Sequence, residues 1–369
     1  MVKRPLLAPK HWHLSSVNTE CSLHQLSPYI GKLKSSIASE LISSYSKPND
    51  IVVDPFAGSC TIPLEAMLLG RHAFASDISP YSKVLSKAKL RAPLNLNDAL
   101  DSMEYALYCA SKLSRPDLRK VPKWVRDFFH PQTLIECLKF ATICRKNSND
   151  FLMACFLGIL HHQCPGFLSY PSSHLVPYLR DKKFPISKYP EMYEYRDLRS
   201  RLIKKIERTY KRFNGFPHNV EGIFRRSTIK NISFPKKFDC LITSPPYMNT
   251  LDYGRDNRLR LWFVDPSQKR VVDNPVTKQK KAFLLAFKIF AEKIEYYLKK
   301  RSYCIMIVGE DITRSFYTHP SDVICEIISK KAPSLRLISI IKDDIPDIRR
   351  SRKNCSGTKS EHILIMQKS

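Results

Sequence analysis

Four consecutive residues, Ser244, Pro245, Pro246 and Tyr247, combine a hydroxyl, two rigid tertiary amides and an aromatic ring. The apolar run Cys240-Leu241-Ile242 just ahead of them reads as a short buried parallel strand. The prolines lack N–H groups and cannot extend a ladder, so the strand stops there. Hydroxyl, backbone carbonyl and ring are thereby held at the carboxyl end of a strand, where open α/β sheets bind ligands. The set suits an exocyclic amine on a flat base, with hydroxyl and carbonyl accepting its N–H bonds while the ring stacks. Such an amine is a poor nucleophile, because its lone pair is delocalised into the base. A site for it works by holding and aiming the nitrogen, through positioning and electrostatic fit, without a covalent enzyme intermediate.

A second group of residues lies far upstream. Lys47-Pro-Asn-Asp50 is a turn signal, and Ile51-Val52-Val53 that follows is β-branched and apolar, as a central strand requires. The chain then runs through Asp54-Pro-Phe-Ala-Gly-Ser-Cys-Thr61 into a helical pattern from Ile62 that Gly70 ends. Arg71–Asp77 reads as the next strand, with an acid at its tip. Strand, small-residue turn, helix, strand and acid is the logic of a nucleotide-binding βαβ unit: small residues let the backbone approach the ligand, and the carboxylate bonds ribose hydroxyls.

Together these segments resemble the Asp-Pro-Phe-Ala-Gly-Ser-Gly-Thr and Ser-Pro-Pro-Tyr motifs of the S-adenosylmethionine-dependent DNA amino methyltransferases. The resemblance implies that Asp54, Phe56, Ala57, Gly58 and Thr61 surround the amino acid end of S-adenosylmethionine and that Asp77 bonds its ribose. Leu26-Ser-Pro-Tyr-Ile-Gly-Lys-Leu33 is similar to the family segment beside the cofactor, with Pro28, Tyr29 and Lys32 matching. Ser244 and the Pro245 carbonyl take the amine hydrogens by the same likeness, and Tyr247 stacks on a base flipped out of its duplex. Within the family the Thr-Ser-Pro-Pro-Tyr spelling points to cytosine N4, and Asp-Pro-Pro-Tyr to adenine N6. Two positions depart from the pattern. Cys60 stands where the family has glycine, at a cost of roughly 1 kcal/mol if φ is positive there. Gly222–Thr228 lacks the carboxylate that often holds the adenine amine, which leaves Ser227 as the candidate contact.

The elements that must position these groups follow. The resemblance implies an α/β, Rossmann-like class I methyltransferase fold: a mostly parallel seven-stranded sheet with a C-terminal antiparallel hairpin and a large, mainly helical insertion. Residues 1–92 read as an N-terminal arm and cofactor half, 93–235 as the inserted target-recognition region, and 236–369 as the catalytic half. In the last segment Phe238–Thr243 and Tyr303–Val308 read as strands, with a helix over roughly 274–300 between them. Leu335–Ile341 and His362–Met366 form the expected terminal pair, joined across the basic loop Arg349-Arg350-Ser351-Arg352-Lys353.

Sixty-one Lys and Arg against 34 Asp and Glu give a formal charge of +27, which favours a polyanionic partner such as nucleic acid. Arg196, Arg199, Arg201, Lys204, Lys205, Arg208, Lys211 and Arg212 interleave with tyrosines and are expected to track phosphates, which positions a protein without specifying sequence. The aromatic loop Gly166–Tyr178, together with Tyr253, Arg255 and Arg350, is expected near the target nucleotide. No apolar stretch of about 18 residues crosses a membrane, and the N-terminus lacks a signal-peptide core, so a cytoplasmic protein is expected. The 11 cysteines read as reduced thiols. His161-His162-Gln163-Cys164 lacks paired zinc-ligand spacing, so no metal is expected. The Cys164-Pro165 order is the reverse of the Pro-Cys pair that carbon-5 methylation needs.

DNA is the expected partner, with a cognate restriction endonuclease in a restriction-modification setting. Three rival readings stand beside cytosine N4: adenine N6 in DNA, an amine in RNA, and an inactive DNA-binding relative or regulatory subunit, the last motivated by Cys60 and Ser227.

Overall fold

In the computed structural model the described residues are 5–13, 16, 18–161, 167–169, 185–234, 236–247, 253–267, 279–310, 316, 318–344 and 360–369. Among them eight strands form one sheet in the order β1-β7-β8-β6-β5-β2-β3-β4. The strands are β1 (Leu6–Leu7), β2 (Ile51–Asp54), β3 (His72–Asp77), β4 (Gly222–Arg226), β5 (Phe238–Thr243), β6 (Leu298–Gly309), β7 (Leu335–Asp344) and β8 (Ser360–Lys368). Every neighbouring pair is parallel except those of β8, which runs antiparallel to both β6 and β7. The expected C-terminal antiparallel pair is present. The eighth strand is a difference: the arm adds Leu6–Leu7 alongside Ile341 and Lys342, a two-residue edge too short for periodicity to reveal.

Period-two alternation explains why the sheet is covered on both sides. Val53, Leu241, Cys304 and Met306 pack with Phe287, Phe290 and Ile294 of the helix Lys280–Tyr297. Val52, Cys240, Ile242 and Ile305 pack with Ile37 and Leu41 of the helix Ser35–Tyr45 and Ala66 of the helix Thr61–Leu68. Continuous apolar runs are therefore required in β2, β5 and β6, since both faces are buried.

The span 93–235 differs from a separate lobe in two ways. Its helices Pro131–Lys146, Asp150–Gly158 and Leu198–Tyr210 share one core with Tyr81 and Leu85 of the helix Pro80–Leu90 and with Phe263. Its last stretch contains β4, which pairs with β3 as the sheet edge, so the insertion ends before Gly222. From β2 the chain winds outward to β3 and β4, then returns to place β5 on the other side of β2. The strand order thus reverses between β2 and β5, and the carboxyl ends of strands at such a switch are where open α/β sheets bind ligands.

Candidate active site

Asp54 and Thr243, the last residues of β2 and β5, meet at that switch point. Thr243 Oγ1 donates to Asp54 Oδ1 at 2.6 Å, and Phe56 N donates to the same oxygen at 3.1 Å. Both residues are buried. Burial raises the Asp54 carboxyl to about 7, and the bonds from Thr243 and Phe56 oppose that rise.

After Asp54 the chain turns back under β3: Ala57 N donates to Ser76 O at 2.9 Å and Gly58 N to Asp77 Oδ2 at 2.9 Å. Gly58 sits at φ 48° and Cys60 at φ 63°, so the turn has two left-handed residues and only one is glycine. Thr61 opens the following helix and its hydroxyl lies 2.9 Å from that of Ser59. Asp77 also accepts from Ser79 N at 2.8 Å, so a backbone amide meets each carboxylate oxygen. Burial still raises the Asp77 carboxyl. Beneath the turn Lys89 Nζ donates to Ser59 O at 2.6 Å, and burial lowers that ammonium to about 8. The sequence carried no signal for this brace, because Lys89 sits in a helix with other lysines.

Tyr29 lies over the same turn. A Cβ added to Gly58 would stand 3.3 Å from Tyr29 Cε1, so the glycine makes room for the ring. The Tyr29 ring stacks on Tyr81 at 5.9 Å and meets Tyr253 at 6.0 Å. Tyr81 is fixed by donating to Pro28 O at 2.6 Å. Lys32, expected beside the cofactor, donates to His24 O at 3.2 Å and pairs with Glu20 at 3.5 Å. Phe56 packs at the edge of the core formed by the helix Lys280–Tyr297, its ring 5.9 Å from Phe290.

The Ser-Pro-Pro-Tyr turn continues from Thr243. Ser244 and Pro246 are half-buried and Pro245 is buried. Tyr247 donates to Glu361 Oε1 at 2.7 Å, and its hydroxyl lies 3.3 Å from Ser244 Oγ. The Tyr247 ring rests on Gly309, where an added Cβ would fall 2.5 Å from Cε2. Glu361 was not singled out from the sequence. Ser227 N donates to Asp77 O at 3.1 Å, which puts that residue beside the β3 tip. Arg255 is exposed in the helical turn Tyr253–Asp256.

The basic helix divides by face. Arg199, Lys204 and Arg208 are exposed, with Arg199 paired to Glu104 at 2.7 Å. Lys205 is a correction: it lies on the buried side with Leu202, Ile206 and Thr209, and its Nζ donates to Gln25 O at 2.7 Å. Arg196 is also turned inward, precedes the helix, and donates to Phe167 O and Glu191 O at 3.3 and 3.2 Å. Neither cation is placed to meet a phosphate. Arg350, its basic loop and most of the aromatic loop lie outside the described residues.

A family model for DNA methylases matches residues 9–87. The type II methyltransferase M.MvaI of Kocuria varians is 25% identical over 285 residues, covering 68% of this chain and 59% of that protein. The type II methyltransferase M.MjaII of Methanocaldococcus jannaschii is 30% identical over 69 residues, covering 19% of this chain and 13% of that one. Among solved structures, a methyltransferase from Methanosarcina mazei is 9% identical, covers 89% of this chain and 96% of that chain, and gives a TM-score of 0.38. A likeness that loose carries no argument. The chain is thus similar in sequence to DNA methylases of the N4/N6 amino type, and it spans 59% of the length of M.MvaI. The groups at the strand tips fit S-adenosylmethionine: two acids that can accept hydrogen bonds, a turn of small residues and an aromatic cover.

Proposed function

We infer that the protein transfers a methyl group from S-adenosylmethionine to an exocyclic amine of a DNA base, with cytosine N4 as the amine. The observation that carries this reading is the juxtaposition of the Asp54–Thr61 turn and the Ser244–Tyr247 turn at the tips of adjacent strands, joined through Thr243 and Asp54. Asp54, Phe56, Ala57, Gly58 and Thr61 would hold the amino acid end of the cofactor and Asp77 its ribose, with Tyr29 as cover. The cofactor supplies an electrophilic methyl group. Ser244 Oγ and the Pro245 carbonyl accept the amine hydrogens, and the Tyr247 ring supports the base. Ser244, in place of an acid, favours cytosine.

The exposed cations Arg199, Lys204, Arg208 and Arg255 support DNA as the polyanion. A restriction-modification setting, with a cognate endonuclease, accords with the type II relatives. The deciding experiment incubates the protein and S-adenosylmethionine with DNA or RNA and measures modified nucleosides by mass spectrometry. N4-methylcytosine in DNA is the expected product. Methyladenine alone, or modified RNA alone, would overturn the cytosine assignment.

One observation favours a second reading, an inactive DNA-binding relative: Cys60 occupies a left-handed position in the cofactor turn. DNA binding without cofactor binding at millimolar concentration would establish that alternative.

A further inference from the structure

Tyr247 does not stand alone in the catalytic turn. Its hydroxyl donates to Glu361 Oε1 at 2.7 Å and lies 3.3 Å from Ser244 Oγ. A carboxylate accepts and cannot donate, so the phenolic proton is committed toward β8. With that proton committed, the Tyr247 oxygen is left as an acceptor, and the group that can donate to it is the Ser244 hydroxyl.

Backbone architecture makes this chain of bonds possible. Glu361 is paired across the sheet with Gly309 of β6 on one side and Asp343 of β7 on the other. Residues directly opposite in antiparallel strands project to the same face. Because position 309 has no side chain, the Tyr247 ring packs closely against β6 and its hydroxyl reaches across to β8; any Cβ there would meet the ring at 2.5 Å.

We propose that Glu361 is a positioning residue that fixes the polarity of the catalytic turn, acting through Tyr247 to keep the Ser244 lone pairs pointed at the substrate amine. This rests on the methyl-transfer reading above. If Tyr247 were free to donate to Ser244, the serine would offer its own proton, or a partly occupied oxygen, to an N–H donor. Its value as an acceptor would fall. The groups around the phenol agree with a donor role: burial first, then the charge of Glu361, hold it protonated well above its ordinary range, with Tyr253 adding to the same effect. Asp343 is the other acid opposite Glu361.

The test is a cycle of Glu361→Gln, Tyr247→Phe and the double variant, assayed for kcat and KM on DNA. Each single variant is expected to lower kcat about tenfold or more, with KM and cofactor affinity within about twofold. The double variant is expected to be no slower than Tyr247→Phe alone, because one residue acts through the other. Multiplicative losses, or Glu361→Gln within about twofold of the parent protein, would overturn the proposal. A second measurement needs no turnover: carbon-13 tyrosine spectra, with Tyr247 assigned by its loss in Tyr247→Phe. Glu361→Gln is expected to lower the titration midpoint of Tyr247, since a neighbouring negative charge is removed. If the parent protein methylates nothing, the function above is wrong and this spectrum alone judges the bond chain. An unchanged Tyr247 midpoint overturns it.

Discussion

Thr243 and Asp54 are 189 residues apart in the chain and 2.6 Å apart in space, joined by a hydrogen bond between the last residues of two neighbouring parallel strands. That bond sits where the strand order reverses, so it couples the two halves of the candidate site directly. It also matters electrostatically, because both residues are buried and the hydroxyl is one of two donors opposing the burial-driven rise of the carboxyl.

Above about pH 7, where the Asp54 carboxyl is ionised, Thr243→Val should therefore cost about 1.5–3 kcal/mol, the usual range for a hydrogen bond to a charged group, although the shape is nearly conserved. Urea denaturation measures the loss. Added to Asp54→Asn it should cost less, since the acceptor no longer carries a charge; equal losses in both backgrounds would refute the coupling.

Asp54 also predicts a pH dependence. Its folded value, about 7, is raised above the ordinary 3.8, so the fold favours the protonated form. Its contribution to stability is complete below about pH 4 and is lost as pH rises through about 7. Glu65, also raised to about 7, acts with the same sign. Asp54→Asn should consequently flatten, without abolishing, the fall in stability between about pH 5 and 8. Cofactor binding should run the other way, because the cofactor's ammonium group pairs with the ionised carboxylate. Calorimetric titration should show tighter binding as pH rises through 7 and no such gain in Asp54→Asn.

Cys60 combines two opposing effects. Its φ of 63° costs a non-glycine residue about 1 kcal/mol, while its fully buried side chain contributes packing. Cys60→Gly relieves the strain and loses the packing, so stability should change by less than about 1 kcal/mol. Cys60→Ala keeps the strain and loses the thiol, and should be the less stable of the two variants by thermal denaturation. Cofactor affinity should rise in Cys60→Gly, with the turn free to relax around the ligand.

Much of this site was legible because each half is a local pattern. Ile51–Asp54 and Phe238–Thr243 announce themselves as buried runs closed by turn chemistry, and the acids at the strand tips follow from strand position. What escaped was set by contacts across the sheet. Glu361 touches Tyr247 over 114 residues, and the glycine that permits the contact lies on a third strand. Neighbouring charges on the basic helix were unreadable for another reason: one residue step turns about 100° around the axis, so Lys204 faces outward while Lys205 points inward. Charge alone does not say which is which, though the Leu198, Leu202 and Ile206 spacing marks the buried face.

Gly309→Ala should act at the proposed catalytic turn without touching either motif. A methyl group there would overlap the Tyr247 ring at 2.5 Å, and the contact is with a packed ring held by its hydroxyl. The ring must shift and the bond to Glu361 must stretch. Turnover should fall about tenfold or more while cofactor affinity is retained, and unchanged turnover would show that the ring position is not critical.

Lys204 and Lys205 offer the sharpest contrast in the molecule, two identical side chains adjacent in sequence with opposite roles. Lys204 is exposed near Arg208 on the outer face, whereas Lys205 is buried with its ammonium on Gln25 O at 2.7 Å. Burial lowers that ammonium to about 8, so near neutral pH it is charged and depends on its carbonyl partner. Lys205→Ala removes a buried cation with its bond to Gln25 O and leaves a space, which should cost about 2–4 kcal/mol in folding. DNA affinity per folded molecule should be nearly unchanged. Lys204→Ala combined with Arg208→Ala should leave stability within about 0.5 kcal/mol. It should weaken DNA binding at every sequence tested and reduce the slope of log affinity against log salt by about 1–2. If the outer pair left the salt slope untouched, this face of the helix would not be where the phosphates lie.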